Sequence, residues 1–245
     1  MHLPGILYAE RFVDLPKAGR DAYRNAEKSL FQHLDENPVL ALSGSAVYTQ
    51  CRQICNGACY VTDPMTNERS VVDVHDAKLD ALEGLIEDLC GERLLIGFQF
   101  THDRDKIVGR FGSKVLYIDG SVSGPEAARI VEKWNRREVE ILACQVQSLS
   151  HGINLQFGGS NACWYGVTDL PEVYQQFNAR LRRPGQQAST VVVHHLICRG
   201  TIEEKMLARL QSKVDGQMTL LQMLREFRDA NRETENCTGV ARRGV

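Results

Sequence analysis

Short, unbroken apolar runs separated by helix-length amphipathic stretches dominate the chain from about residue 75 onward. Leu94-Leu95-Ile96-Gly97-Phe98 has no polar face, and a strand without one must be covered on both sides. Similar runs recur at Lys114-Val115-Leu116-Tyr117-Ile118, at Val139-Glu140-Ile141-Leu142-Ala143-Cys144, at Ala162-Cys163-Trp164-Tyr165 and from Thr190 to Ile197. Helical patterns lie between them, over about 103–111, 124–136 and 171–182. The stripe Leu79, Leu82, Leu85, Ile86 and Leu89 precedes the first run and predicts an amphipathic helix. This alternation predicts an α/β fold: a parallel sheet with helices on both faces, built by right-handed crossovers. Such sheets bind ligands beyond the carboxyl ends of their strands, which is where functional residues are sought.

The two ends of the chain read differently. Tyr23, Ala26, Leu30, Phe31 and Leu34 recur at helical spacing within residues 17–58, and this N-terminal helical segment is expected to belong partly with another domain. Cys59-Tyr60-Val61-Thr62, the turn Asp63-Pro64-Met65-Thr66-Asn67 and the return Ser70-Val71-Val72-Asp73-Val74 predict a hairpin. Near the other end, Thr201-Ile202-Glu203-Glu204 predicts a helix with Thr201 as N-cap and Glu204 at its third position. Ile202, Met206, Leu210, Leu220, Leu224 and Phe227 supply its apolar anchors, and the polar stretch 231–245 is expected to fray. The expected divisions are 1–74, a helical lead-in with a small hairpin; 75–215, the α/β lobe; and 216–245, a C-terminal helix and tail.

Charge and cysteine content narrow the function classes. The 29 Lys and Arg against 31 Asp and Glu give a net charge of −2. That excludes a uniformly basic coat but leaves room for a groove lined locally by arginine. No apolar run approaches the roughly 18 residues of a membrane span, so no membrane partner is expected. Met1-His2-Leu3-Pro4-Gly5 lacks the basic-then-apolar start of a signal peptide, so a cytoplasmic location is expected. The 8 Cys are then not expected to form a disulfide framework. Cys51, Cys55 and Cys59 recur every four residues, as a metal-ligand set or as a buried thiol stripe on one helical face. Their spacing matches no paired C-x-x-C pattern, so the stripe is favoured and no metal ligand is assigned.

No complete catalytic constellation is present. Phe111-Gly112-Ser113-Lys114 is the nearest fragment to a phosphate loop and lacks its first glycine and final hydroxyl. Asp35-Glu36 reads as a solvated helix end, and H-E-x-x-H, G-x-S-x-G and G-x-G-x-x-G are absent. What remains is half a site. Gln176, Arg180 and Arg183 fall at i, i+4 and i+7 before Pro184-Gly185, a spacing that puts all three on one helical face. Two guanidiniums there form a clamp for phosphate oxygens; the alternative is an exposed basic helix end favoured by the dipole. Upstream, residues 147–156 mix small, hydroxyl and amide side chains after a strand. His151 reads there as a general base or as a positioned polar residue. The second is favoured, because no nucleophile or carboxylate accompanies it.

These segments resemble motifs five and six of helicase superfamily two, in the form found in the Swi/Snf-related DNA translocases. Gln176, Arg180, Arg183, Gly185 and Gln186 match Q-x-x-x-R-x-x-R-x-G-Q. Ser148, His151, Gly152, Asn154, Leu155 and Gln156 match the preceding motif, S-x-G-H-G-x-N-L-Q in phage and bacterial members. Leu95-Ile96-Gly97-Phe98-Gln99 resembles motif four, and Ile118-Asp119-Gly120 the Asp-Gly that follows it. Thr201-Ile202-Glu203-Glu204-Lys205 resembles a further family pattern. Arg52-Gln53-Ile54 to Gly57, and His75 to Leu79, resemble the lead-in to the second lobe. The likeness spans about residues 45–215. Ser150 stands where Gly is usual, Asp169 where Trp is common, and Arg182 where an aromatic or His is usual.

The resemblance implies a RecA-like helicase C-terminal lobe. In the family, ATP with Mg lies between two such lobes, and the first lobe supplies the phosphate loop and the acidic pair that holds the metal. That first lobe is missing from these residues. Arg183 is then the expected catalytic finger, with Arg180 beside it on the phosphates. Gln176, Gly152 and Asn154 are expected at the cofactor, and Gln99, Thr101, Ser148 and His151 on the DNA side. The expected function is the second lobe of an ATP-dependent DNA helicase/translocase, hydrolysing ATP only with a first lobe. Its expected partners are double-stranded DNA and that lobe. One alternative is a non-catalytic DNA- or protein-binding module of the same fold, whose salt-sensitive DNA binding ATP does not alter. Another is an unrelated α/β enzyme holding a phosphorylated small molecule.

Overall fold

The computed structural model describes residues 3–36, 41–149, 153–212 and 220–241. A first strand, β1 (Gly5–Val13), leads into α1 (Lys17–Glu36) and α2 (Ala41–Asn56). The hairpin β2 (Ala58–Thr62) and β3 (Arg69–Asp73) precedes α3 (Ala77–Asp88). The alternating part follows: β4 (Leu94–Phe98), α4 (Thr101–Phe111), β5 (Val115–Ile118), α5 (Gly124–Asn135), β6 (Ile141–Gln145), β7 (Asn161–Trp164), α6 (Pro171–Asn178) and β8 (Thr190–Cys198). Two helices close it, α7 (Ile202–Gln211) and α8 (Leu220–Ala241).

The sheet order is β1-β8-β7-β4-β6-β5, and every neighbouring pair is parallel. The strand with no polar face, β4, is hydrogen-bonded on both sides, to β7 and β6, and is buried throughout. Alternation then sorts its side chains between two cores. Leu94, Ile96 and Phe98 face α1, α2, α3 and the anchors Met223, Leu224 and Phe227 of α8. Leu95 faces the opposite core with Ile130 and Trp134 of α5 and Tyr174 and Phe177 of α6. Gly97 is required by that packing. A Cβ there would lie 2.9 Å from Cζ of Phe177 and 3.0 Å from Cγ1 of Val146.

Three expectations about the elements are corrected. First, β1 is an edge strand paired with β8 along its whole length, from Gly5 opposite Thr190 to Val13 opposite Cys198. Its neighbours in α1 and α2 are part of the same core, with Tyr23, Leu30, Tyr48, Cys51, Ile54 and Cys55 all buried. Second, α6 ends at Asn178 rather than at about 182. Third, of the stretch 231–245 expected to fray, the part up to Ala241 continues α8, and 242–245 lie outside the described residues. The hairpin is confirmed: β2 and β3 pair antiparallel, and Asp63 Oδ1 accepts from the amides of Met65 and Thr66 to shape the turn. Thr201 caps α7, its Oγ1 accepting from the Glu203 amide, while Glu204 reaches back to the amide of Gly200. Among the described residues no helix is long and apolar enough to cross a membrane.

Candidate functional site

The carboxyl ends of β4 and β6 lie side by side, because their strands pair directly. Residues from both ends form one amide-rich cluster. Gln147 Nε2 donates to Gln99 Oε1 at 2.6 Å, Gln145 Nε2 to the Gln99 carbonyl at 3.3 Å, and Ser148 Oγ to Gln145 Oε1 at 2.8 Å. Gln99 is buried, and its Nε2 donates to the Gly166 carbonyl. Its side chain is therefore spent inside the protein, and the solvent side of the cluster belongs to Thr101 and Gln147, with Ser148 half-buried. The turn into α4 is fixed by Asp103, whose Oδ2 accepts from the amides of Gln99 (3.1 Å) and Phe100 (2.9 Å). At the neighbouring strand end, Asp119 accepts from Ser121 and Arg104. Burial alone would raise the Asp119 carboxyl, but those donors hold it below its ordinary value.

The arginines lie elsewhere than a continued helix would put them. Beyond Asn178 the chain turns, with the Arg180 amide donating to Phe177, and Gly185 takes a left-handed φ of 98°. Arg180 is buried. Its Nη1 donates to the Ile153 carbonyl at 3.2 Å and its Nη2 to that of Leu149 at 3.3 Å. Burial first, and then the charge of Arg183, push its guanidinium below the usual range. Arg183 is half-buried and donates to Oδ1 of Asn154. The Asn154 carbonyl in turn accepts from Asn135 at the end of α5. Gln186 pins the turn by donating to the carbonyls of Gly159 and Leu181.

The segment bearing Leu149, Ile153 and Asn154 descends from the carboxyl edge of the sheet towards its amino edge. The Leu155 carbonyl meets Trp134 Nε1 at 2.9 Å, and a Cβ on Gly159 would touch Arg93, just before β4. The arginine cluster sits along this descent, and the amide cluster sits above it. Gln176 joins neither; it is exposed on α6, and its side chain makes no hydrogen bond among the described residues. His151 and Gly152 lie outside the described residues.

A third, buried cluster joins α2, α3 and α7. Lys78, fully buried, donates to Oε1 of Glu203 at 2.5 Å and to Oδ1 of Asn56 at 2.9 Å. Asn56 Nδ2 continues to Asp103 Oδ2 at 3.0 Å, and Glu203 Oε2 accepts the Cys198 amide. Burial by itself would lower the Lys78 ammonium, and the Glu203 carboxylate overrides it, leaving the group above its ordinary value. The cysteine stripe is corrected: Cys51 and Cys55 lie on α2, but the helix ends at Asn56 and Cys59 belongs to β2, so the three share no helical face. All three are buried, and desolvation pushes the Cys51 thiol up to about 12. Cys55, Cys198 and Glu203 place three donor atoms within 4.8 Å of one another. The cation against that carboxylate is the Lys78 ammonium, and desolvation also holds Cys55 protonated. With that carboxylate already engaged by Lys78, the cluster reads as a buried ion pair beside two thiols. Asp169, standing where the family commonly has Trp, pairs at 3.1 Å with Arg52 of α2, whose guanidinium lies over the rings of Tyr48 and Phe100.

No family model matches the chain. Protein p41 of Acyrthosiphon pisum secondary endosymbiont phage 1 is 30% identical over 218 residues, which are 87% of this chain and 45% of p41. YwqA of Bacillus subtilis, named as a candidate ATP-dependent helicase/translocase, is 28% identical over 225 residues, covering 87% of this chain and 24% of that protein. The crystal structure of the C-terminal part of the Fun30 ATPase domain superposes with a TM-score of 0.66 at 16% identity, over 94% of this chain and 97% of that one. The chain is similar in sequence to SWI/SNF-related proteins and shares the fold of the SWI2/SNF2 ATPase C-terminal domain. The Sulfolobus solfataricus SWI2/SNF2 ATPase core, solved with double-stranded DNA, has the same fold, with a TM-score of 0.64 at 22% identity over 84% of this Swi/Snf-type lobe and 44% of that chain. The lobe spans less than half the length of either curated relative.

Proposed function

We propose that this Swi/Snf-type lobe is the second half of an ATP-dependent DNA translocase, and that its ATP site is completed by a first RecA-like lobe. The observation that carries the reading is the pairing of Arg183 with Asn154. It joins the two family motifs and aims a partly exposed guanidinium from a loop that Arg180 latches from within. Asn154 is the hydrogen-bond partner of Arg183 among the described residues, which leaves its other N–H groups for phosphate oxygens. ATP with Mg, when bound, supplies a γ-phosphate whose developing charge such a guanidinium neutralises. Arg183 is the finger in this reading, Arg180 the residue that holds the Leu149 and Ile153 carbonyls behind it, and Asn154 the residue that orients it. Thr101, Gln147 and Ser148 form the edge that meets the DNA backbone, with Gln99 organising them from inside. The first lobe would supply the phosphate loop and the metal ligands.

The test is ATP turnover by this chain, with and without duplex DNA, beside the same chain mixed with a first-lobe polypeptide. DNA-dependent activity confined to the mixture supports the reading. Turnover by the chain alone overturns it, since without a phosphate loop nearly all positioning and electrostatic stabilisation is lost.

A further inference from the structure

We infer that Asn56, the last residue of α2, is a positioning residue for the β4–α4 turn; this rests on the proposal that the turn faces DNA. Its carboxamide links two buried ionisable groups. Oδ1 accepts from Lys78, which is itself paired with Glu203 of α7, and Nδ2 donates to Asp103 Oδ2. That same carboxylate oxygen receives the amides of Gln99 and Phe100. The Asn56 side chain has no room to choose another course. A Cβ on Gly166 would fall 2.4 Å from Asn56 Nδ2, and the Asn56 carbonyl accepts from Tyr165 Oη at 3.0 Å. A continuous buried path therefore runs from α7 and α3, through α2, to the backbone from which Thr101 and the Gln99–Gln147 contact are presented. In a low-dielectric interior each link in such a path depends on its neighbours being satisfied. Removing the central amide strips Asp103 of one donor and frees the turn it caps.

The experiment uses Asn56→Ala in the full chain, with Asn56→Ser as a milder variant that keeps an oxygen near Lys78 but falls short of Asp103. Hydrogen exchange is followed at the Gln99 and Phe100 amides and, as controls, at Leu142 and Val193 in the sheet. Affinity for a fluorescent duplex DNA is measured in parallel. Exchange at Gln99 and Phe100 is expected to rise about tenfold relative to the controls, with DNA affinity falling about threefold to tenfold. Unchanged exchange at those two amides, or a rise shared equally by the controls, overturns the inference. So does faster local exchange with wild-type affinity when Thr101→Ala weakens binding. If Thr101→Ala leaves affinity untouched, the DNA reading of this edge falls instead, and the exchange result alone decides whether Asn56 holds the turn.

Discussion

Lys78 of α3 and Glu203 of α7, 125 residues apart in sequence, meet at 2.5 Å with both side chains buried. The pair closes the lobe on itself. It fastens the start of α7 to α3 and α2, while the Glu203 carboxylate also receives the amide at the end of β8. A buried ion pair is tolerated only when its remaining polar atoms are satisfied, and here Asn56 and the Cys198 amide satisfy them. Removing one member leaves an uncompensated charge. Lys78→Met is therefore expected to destabilise the fold by about 3–5 kcal/mol, lowering the melting midpoint by roughly 10 °C in a chain of this size. Adding Glu203→Gln, which keeps an acceptor for Cys198, should recover part of that loss. A double variant less stable than Lys78→Met alone would contradict the argument.

Two glycines are expected to respond to alanine in opposite directions. Gly57 has a φ of 101°, and a Cβ there would lie 2.2 Å from the His75 carbonyl oxygen. Its own carbonyl accepts from the amides of Val74 and His75, so the turn has no slack. Gly57→Ala should cost about 2–4 kcal/mol. Gly109 lies inside α4 with nothing within 4 Å of the added carbon. Gly109→Ala should stabilise by about 0.5–1 kcal/mol. Urea midpoints of the two variants check both signs at once.

Acid sensitivity should centre on β8. Burial, reinforced by neighbouring His194, lowers the His195 imidazole to about 4, and its Nε2 lies 2.9 Å from Tyr174 Oη. In the unfolded chain the ring titrates near 6.5. Between these values the unfolded state binds the extra proton, so stability falls as pH is lowered from about 6.5 to 4. The loss by pH 5 is about 2 kcal/mol from this residue. His75 and His194, lowered first by burial, act in the same direction. Denaturation at pH 7.5 and pH 5 should show a smaller difference in His195→Gln than in wild type. Equal differences would remove His195 as the source.

What could be read from the sequence follows how local its cause is. β4 announces itself because five consecutive apolar residues leave no solvent face, and the β2–β3 turn because Asp63 carries its own capping oxygen. β1 does not: Glu10, Arg11 and exposed Leu7 and Tyr8 dilute its pattern, and its partner β8 begins at Thr190. Nothing local to Lys78 announces its partner, because Glu203 lies 125 residues away in sequence and only the fold brings α7 to it. The motif match found Arg180 and Arg183 but not their geometry, because a spacing of i+4 assumes a helix that here stops at Asn178. Arg180 turns inward because two carbonyls of the β6–β7 segment need donors.

That difference in geometry separates the two arginines experimentally. Arg183 is partly exposed and held by one asparagine, so Arg183→Ala should change stability by no more than about 0.5 kcal/mol. If it is the finger, turnover by the chain combined with a first lobe should fall by about 10³–10⁵-fold. Arg180→Ala removes two buried hydrogen bonds to carbonyls, and should cost about 1–3 kcal/mol of stability as well as activity. Asn154→Ala should leave stability near wild type and lower turnover less than Arg183→Ala, because it disturbs the aim of the guanidinium and not its charge. Intact DNA-stimulated turnover in Arg183→Ala would remove the finger from this position. A loss of stability in Arg183→Ala equal to that in Arg180→Ala would make both arginines parts of the scaffold.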